Sequence, residues 1–128
     1  MRISKHDVPV KVTAPGAVAR LQPGFGDPSN CGVLSAEFFS LAAGTDIAPL
    51  LEGLKDDLCQ APHWGYLASG SVTVTYIDGS TEMVAAGDLF YWPPGHTVRV
   101  QHDAELLMFS PERAHNEVLD HMKAKLGS

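Results

Sequence analysis

Alternating apolar and polar residues run through most of this chain up to residue 110. The clearest run is 71–77, which is rich in β-branched residues and leads into Asp78-Gly79, a pair typical of tight hairpins. No helical pattern separates successive runs, so the sequence predicts eight or more short antiparallel strands in a sandwich or barrel. The predicted strands are 8–12, 17–21, 34–42, 63–69, 71–77, 80–85, 89–93, 97–101 and 104–110.

The periodicity changes after Ser110-Pro111. Four apolar residues follow at intervals of four, which places them on one face of a helix. We expect Ser110 to cap this helix and Pro111 to occupy its first position. The sequence therefore predicts an all-β domain with a short C-terminal helix at 111–126. The apolar residues on the predicted face are Ala114, Val118, Met122 and Leu126.

Composition narrows the classes of function. A chain of 128 residues suits one domain with one core. The net charge of −6 and the scattered basic residues disfavour a nucleic-acid surface. No apolar run is long enough to span a membrane, and the N-terminus lacks the pattern of a secretory signal, so we expect a cytoplasmic protein. In that compartment Cys31 and Cys59 are expected to bind metal or to be buried rather than to form a disulfide.

The stretch from residue 59 to residue 102 carries the candidate chemistry. Cys59 and His63 are four residues apart and can face the same side of an irregular strand, while His96 follows a Pro-Pro-Gly corner. Cysteine and histidine together suit zinc or a similar transition metal, and three protein ligands plus water would form an open site. Alternatively, Cys59 is a small buried apolar residue and both histidines line a pocket without metal.

Further residues near this stretch are candidates for the pocket wall. They are Tyr91, His102 and Asp57. If His63 points into the barrel, Trp64 and Tyr66 point outward, where they would pack on the N-terminal arm or a second subunit. His115 and His121, six residues apart on the helix, are interpreted as surface residues.

Gly87, Pro93 and Gly95 match the second conserved motif of the cupin superfamily, and the segment 66–70 resembles the end of the first motif. The chain is most similar to small single-domain cupins with a Pro-His-Trp-Gly-Tyr segment and a Pro-Pro-Gly-His corner. This resemblance implies a double-stranded β-helix, the RmlC-like jelly-roll barrel. We therefore divide the single domain 1–128 into an N-terminal arm (1–32), a barrel core (33–110) and the helix.

The resemblance also shows where the metal ligands depart from the usual set. Asp57, Cys59 and His63 stand where a standard cupin has two histidines and a glutamate. Val98 stands at the usual histidine of the second motif, and His96 lies two residues earlier. The resemblance implies Fe, Mn, Ni or Zn as the cofactor, and the cysteine favours zinc or iron.

Two classes of function follow. In the first, the protein is a metal-dependent enzyme of dioxygenase, isomerase or lyase type that acts on a small organic substrate. In the second, it is a non-catalytic cupin that binds or senses a small ligand in the same pocket. We expect a homodimer in both cases, because pairing would bury the outer sheet of so small a barrel.

Overall fold

The computed structural model describes residues 1–28 and 32–127 of the chain. The predicted loop around Cys31 lies partly outside these residues. The described part contains seven strands, which form one antiparallel sheet in the order β1-β2-β3-β7-β4-β5, with β6 paired to β4. The strands are β1 (Val10–Ala14), β2 (Ala17–Gln22), β3 (Leu34–Leu41), β4 (His63–Tyr76), β5 (Thr81–Ala85), β6 (Leu89–Trp92) and β7 (His96–Pro111).

The prediction of eight or more strands is wrong because two pairs of predicted strands are continuous. Runs 63–69 and 71–77 form the single strand β4, and 97–101 and 104–110 form β7. Gly70 does not end β4; it has a φ of +82° and lies against the carbonyl of Asp103. A side chain at Gly70 would collide with that carbonyl, and the register shifts on both sides of it. The expected turns at Gly70 and at His102-Asp103 are thus irregularities within long strands.

Two helices cover one end of the sheet. The short helix α1 (Ala48–Leu51) packs against α2 (Glu112–Lys125), which also contacts β1 and β7. The predicted apolar face of α2 is confirmed, since Val118 is buried and the other three residues pack against buried clusters. Ser110 is not the helix cap. It lies at the end of β7, Pro111 occupies the N-cap position, and no side chain caps the helix.

The main part of the core lies within the curled sheet, and two smaller buried clusters join the rest of the chain to α2. Its β4 and β7 residues alternate as predicted, with Val72, Val74, Val98 and Val100 buried. The outward direction of Trp64 is also confirmed, because its side chain is 48% exposed. The N-terminal strand β1 pairs with β2 of its own chain. Within the described residues, no helix has both the length and the apolar character needed to cross a membrane.

Candidate metal centre and cavity

Backbone pairing brings together the three residues predicted as metal ligands. Cys59 forms an isolated bridge with His96, in which its amide donates to the His96 carbonyl at 2.9 Å. The Gly95 amide donates to the Cys59 carbonyl at 2.7 Å, so the Pro-Pro-Gly corner fixes this contact. His63 begins β4 and pairs with Trp92 at the end of β6, just before the corner. Three separate segments therefore meet at one point.

The side chains of these residues form a buried group, which we call the Cys–His cluster (Cys59, His63 and His96). One ligand atom from each lies within 4.8 Å of the other two. The Sγ of Cys59 lies 3.6 Å from Nε2 of His63. In a tetrahedral zinc site, bonds of about 2.3 Å to sulfur and about 2.1 Å to nitrogen would separate these two atoms by about 3.6 Å. The spacing fits a metal of this size.

Hydrogen bonds fix the tautomers of both histidines. Nδ1 of His96 lies 2.7 Å from the carbonyl oxygen of Pro93, which can only accept, so Nδ1 carries the hydrogen. Nδ1 of His63 lies 2.7 Å from Oγ of Ser110, whose own hydroxyl donates to Glu37. His63 is therefore the donor in this contact. Both rings keep a lone pair on Nε2, the form in which imidazole binds metals.

Burial shifts the pKa values of all three side chains in the Cys–His cluster. It lowers the pKa of His63 well below its usual range, and nearby His115 and His96 lower it further. Burial likewise lowers the pKa of His96 to about 4. Burial raises the pKa of the Cys59 thiol to about 12. Without a cation, the cluster is therefore uncharged at neutral pH, and a bound metal would have to displace the thiol proton.

A second buried group shares the ring of His63 with the first. We call it the Glu–His cluster (Ser35, Glu37, Ser110 and His115). Nδ1 of His115 donates to Oε2 of Glu37 at 2.7 Å. Ser35 donates to the same oxygen at 2.7 Å. Ser110 donates to the other oxygen of Glu37 at 3.1 Å. Both oxygens of this buried carboxylate have hydrogen-bond partners.

The interpretation of His115 as a surface residue is wrong, since its side chain is only 3% exposed. Its ring centroid lies 4.3 Å from that of His63. The sequence did indicate the burial of His115. This residue precedes Val118 and Leu119 by three and four residues, so it shares their helix face. Sequence reasoning also missed Glu37. It lies two residues after Ser35, so both side chains are on the inner side of an apolar strand. His121 bonds through Nε2 to the carbonyl of Glu52.

A cavity of about 550 Å³ opens next to the Cys–His cluster. Its walls come from the inner face of the sheet, the loop before α1, and α2. Most of its lining is aliphatic or aromatic, and its polar side chains are Thr45, Asp46, Cys59, Trp92 and three histidines. Among the described residues, no lysine or arginine lines it. The cavity is therefore mainly apolar, and its polar side chains come from the Cys–His cluster, its neighbours Trp92 and His115, and the loop before α1.

Three other predicted residues lie outside the cavity, contrary to the expectation of a pocket role. Tyr91 faces outward and stacks on Trp64, with ring centroids 5.2 Å apart. His102 is exposed and bonds to Ser71, since the strand irregularity at this point turns it to the surface. Asp57 is exposed and accepts from the Gly53 amide at 3.0 Å, so it stabilises a turn.

No family model and no curated protein matches the chain. Solved structures do resemble it. An RmlC-like cupin from Shewanella frigidimarina is 20% identical, with a TM-score of 0.58 over 87% of this chain and 90% of that one. The chain has the cupin fold. Oxalate decarboxylase from Bacillus subtilis is 24% identical to this chain, with a TM-score of 0.60 over 86% of it.

The chain is also similar to the polyketide cyclase RemF from Streptomyces resistomycificus. That structure is 18% identical, with a TM-score of 0.59, and the match covers 87% of this chain and 78% of the cyclase. By contrast, this chain spans only 28% of the length of the Bacillus subtilis oxalate decarboxylase. These similarities establish the barrel, and the expected double-stranded β-helix is confirmed.

Proposed function

We propose that this cupin binds a divalent transition metal through Cys59, His63 and His96 and holds a small organic ligand beside it. The observation that carries the proposal is the convergence of three buried ligand atoms at metal-like spacing. The fixed tautomers support it, because both Nε2 atoms are free to bind a cation. Nothing else in the described surroundings uses these lone pairs, apart from the weak contact between Cys59 and His63.

The ligand chemistry favours zinc or iron, with manganese or nickel as alternatives. A thiolate with two imidazoles suits zinc and other borderline metals, whereas sites for harder cations use more oxygen ligands. A thiolate ligand also requires a reduced cysteine. Cys59 is buried as a free thiol, which fits a reducing compartment, and we propose the cytoplasm.

The cavity supports an uncharged, mainly apolar ligand. A small dianion such as oxalate would find no lysine or arginine on the described walls, and near the one acid there, Asp46, it would be repelled, so only the proposed metal would attract it. A larger ring compound with one polar group fits the volume and the mainly apolar walls better.

If the protein is an enzyme, the metal would supply Lewis acidity toward an oxygen of the ligand. The chain's own residues would hold and shield the reacting group. Pro93 and Ser110 fix the two imidazole rings, and the mainly apolar walls would hold the apolar part of a ligand beside them. The metal-dependent classes of dioxygenase, isomerase and lyase all fit this arrangement.

The alternative, a cupin that binds or senses its ligand without catalysis, has an observation of its own. Glu37 is the buried carboxylate nearest the cluster, and Ser35, Ser110 and His115 already occupy both of its oxygens. It is therefore not free to act as a general base toward a ligand. Turnover in a screen of uncharged ring ketones and enols would favour the enzyme over the sensor.

Elemental analysis of purified protein tests the metal site directly. We expect near-stoichiometric zinc or iron in the wild type. In Cys59→Ala and His96→Ala, the affinity for that metal should fall by at least about 100-fold. His102→Ala is the matched control, because His102 is exposed and hydrogen-bonded outside the cavity. Cobalt loading should give a thiolate charge-transfer absorption that Cys59→Ala lacks. Wild-type protein that stays metal-free after reconstitution with each candidate metal would refute the proposal.

We also propose a homodimer built on the outer side of β4, β6 and β7. Trp64 pairs with Tyr91 and with Phe109 across neighbouring strands, and Tyr66 pairs with Leu89, so their side chains form one continuous exposed patch. Such a patch is typical of an interface, and a two-fold axis would let it cover itself. Light scattering should give twice the chain mass of 13.7 kDa, and a monomer at micromolar concentration would contradict the proposal.

A further inference from the structure

His115 is the polar member of an otherwise apolar helix face. It lines the cavity, and so do four residues that follow it at helical spacing on α2, namely Val118, Leu119, Met122 and Leu126. The side chain of His115 therefore lies on the face that α2 turns toward the cavity. Its imidazole ring borders the same space as the apolar side chains of that face.

Only one ring nitrogen of His115 has a hydrogen-bond partner within the described structure. Nδ1 donates to Glu37 at 2.7 Å, so the neutral ring keeps a lone pair on Nε2. The buried side-chain polar atoms that lack both a partner and accessible surface belong to Trp92, Thr97 and Gln101. Nε2 of His115 is not among them, so it retains accessible surface. Because the residue lines the cavity, this surface faces the cavity.

The charges around the proposed metal favour the neutral form of this imidazole. A divalent metal would bring two positive charges, of which the Cys59 thiolate offsets one and the buried Glu37 carboxylate offsets the other. A neutral His115 leaves this region uncharged, whereas a protonated ring would leave a buried positive charge without a counter-ion. Nε2 is then a hydrogen-bond acceptor, and a ligand would have to supply the donor.

His115 is a polar point of the cavity separate from the proposed metal. One of its nitrogens lies within 4.8 Å of a ligand atom on Glu37 and of one on His63. Among the described residues, no comparable group joins it with Cys59 and His96. Its ring centroid lies 4.3 Å from that of His63. A ligand beside the metal would therefore have this second polar point next to it.

We infer that His115 is a specificity-determining residue, whose Nε2 accepts a hydrogen bond from a hydroxyl group of the ligand. The inference rests on the proposed role of the cavity and extends it by naming the ligand class. That class is an uncharged ring compound that carries a hydroxyl group, such as a phenol or an enol. Glu37 is the positioning residue, because its carboxylate holds the ring in the required tautomer. An analogue without the hydroxyl would leave Nε2 unpaired and bind more weakly.

Two probes of similar size separate a hydroxyl from an apolar group. 2-Naphthol and 2-methylnaphthalene differ only in the hydroxyl or methyl group on one ring carbon. Both are titrated into zinc-loaded and metal-free protein, because zinc itself would attract a hydroxyl. In nitrogen-15 NMR spectra of the wild type, 2-naphthol should move the Nε2 signal of His115 upfield, as accepting a hydrogen bond does. 2-Methylnaphthalene should leave the position of an unpaired nitrogen.

His115→Asn is the test of cause. The asparagine amide can still donate to Glu37, but no atom replaces Nε2. We expect this variant to lose at least about fivefold in affinity for 2-naphthol relative to 2-methylnaphthalene, in both forms of the protein. His121→Asn is the matched control, because His121 lies on the same helix outside the cavity lining and bonds through Nε2 to the Glu52 carbonyl. It should leave the ratio of the two affinities unchanged.

A ratio that is unchanged in His115→Asn, or an Nε2 signal that 2-naphthol does not move, overturns the inference, while the cavity remains a ligand site. The NMR measurement uses wild-type protein, so it decides the question if His115→Asn does not fold. If neither probe binds, the inference and the proposed ligand class are both overturned. Protein that gives both expected results in the metal-free form but takes up no zinc would support the inference and count only against the proposed metal.

Discussion

The Cys–His and Glu–His clusters meet at the ring of His63, whose Nε2 lies near Cys59 and whose Nδ1 bonds to Ser110. The two clusters differ in how far their polar atoms are satisfied. In the Glu–His cluster, three donors surround one carboxylate at 2.7 to 3.1 Å. In the Cys–His cluster, the nearest polar contact between side chains is the 3.6 Å separation of sulfur and nitrogen. Burial is nearly complete in both.

This difference separates two uses of buried polar groups. A buried group whose hydrogen bonds are complete stabilises the fold and has no capacity left for a ligand. A buried group whose nitrogen lone pairs meet only a long contact from a thiol is incomplete, and it can accept a cation in place of the thiol proton. Residue types alone do not distinguish the two, because Glu37, His63 and His115 also lie close enough together to be a candidate metal-binding group.

The largest effect is expected from removing the acceptor of the Glu–His cluster. Glu37→Ala leaves Ser35, Ser110 and His115 without their acceptor in a buried place, which should lower the free energy of unfolding by about 3 kcal/mol or more. Glu105 is the matched control, since it accepts from Lys5 and Ser40 but is partly exposed. Glu105→Ala should cost less than about 1 kcal/mol. Urea unfolding measures both, and equal losses would contradict the contrast.

Lowering the pH should destabilise the folded protein mainly through the histidines of the Cys–His cluster. The pKa values of His63 and His96 are lowered in the folded protein, so these imidazoles are neutral there while the unfolded chain takes up protons below about pH 6.5. Stability is therefore full above that pH and is lost as the pH falls toward 4. We expect metal-free protein to lose about 2 kcal/mol for each of these two imidazoles between pH 7 and pH 4.5.

The same urea titrations measure this loss, with the variant His96→Gln as a comparison. Because glutamine does not titrate, the variant should lose less stability over the same pH interval than the wild type. An identical pH dependence in the two proteins would show that His96 is not the group responsible.

The smallest effect is expected at the serine that joins the clusters. Ser110→Ala removes the acceptor that holds His63 and one donor to Glu37, whereas Ser35→Ala removes a donor to Glu37 and a longer contact with the Ser110 carbonyl but no contact with His63. Each should cost about 1 kcal/mol of stability. Only Ser110→Ala should weaken metal binding, by about tenfold, because it alone frees the ligand ring. Competition with a chelator measures this, and equal affinities in the two variants would refute the distinction.

Alternation and turn residues were sufficient to predict most of the fold. They located every strand within a few residues, and the glycine and proline motif supported the cupin barrel. They failed at Gly70 and Asp103, where a close contact between two strands replaces the expected turns. Such a contact depends on which strands become neighbours, and local sequence does not encode that.

The candidate site could be predicted only in part. Cys59, His63 and His96 were identified because their residue types and the corner at 93–95 suggest metal binding, and the structure does bring them together. Glu37 and His115 were missed because they are 78 residues apart and each looks ordinary in its own element. Their meeting depends on how α2 docks on β3, which no local pattern reveals.

The curvature of β7 has a consequence for the order in which the molecule assembles. Fourteen residue steps separate His96 from Ser110, which would span roughly 46 Å in a straight strand. Yet His63 contacts both: its ring centroid lies 5.1 Å from that of His96, and its Nδ1 lies 2.7 Å from Ser110. The strand therefore bends into a nearly closed ring with His63 at its junction. We expect the three proposed metal ligands to come together only when this ring closes. A bound ion would then stabilise the closed strand and slow the opening of the barrel.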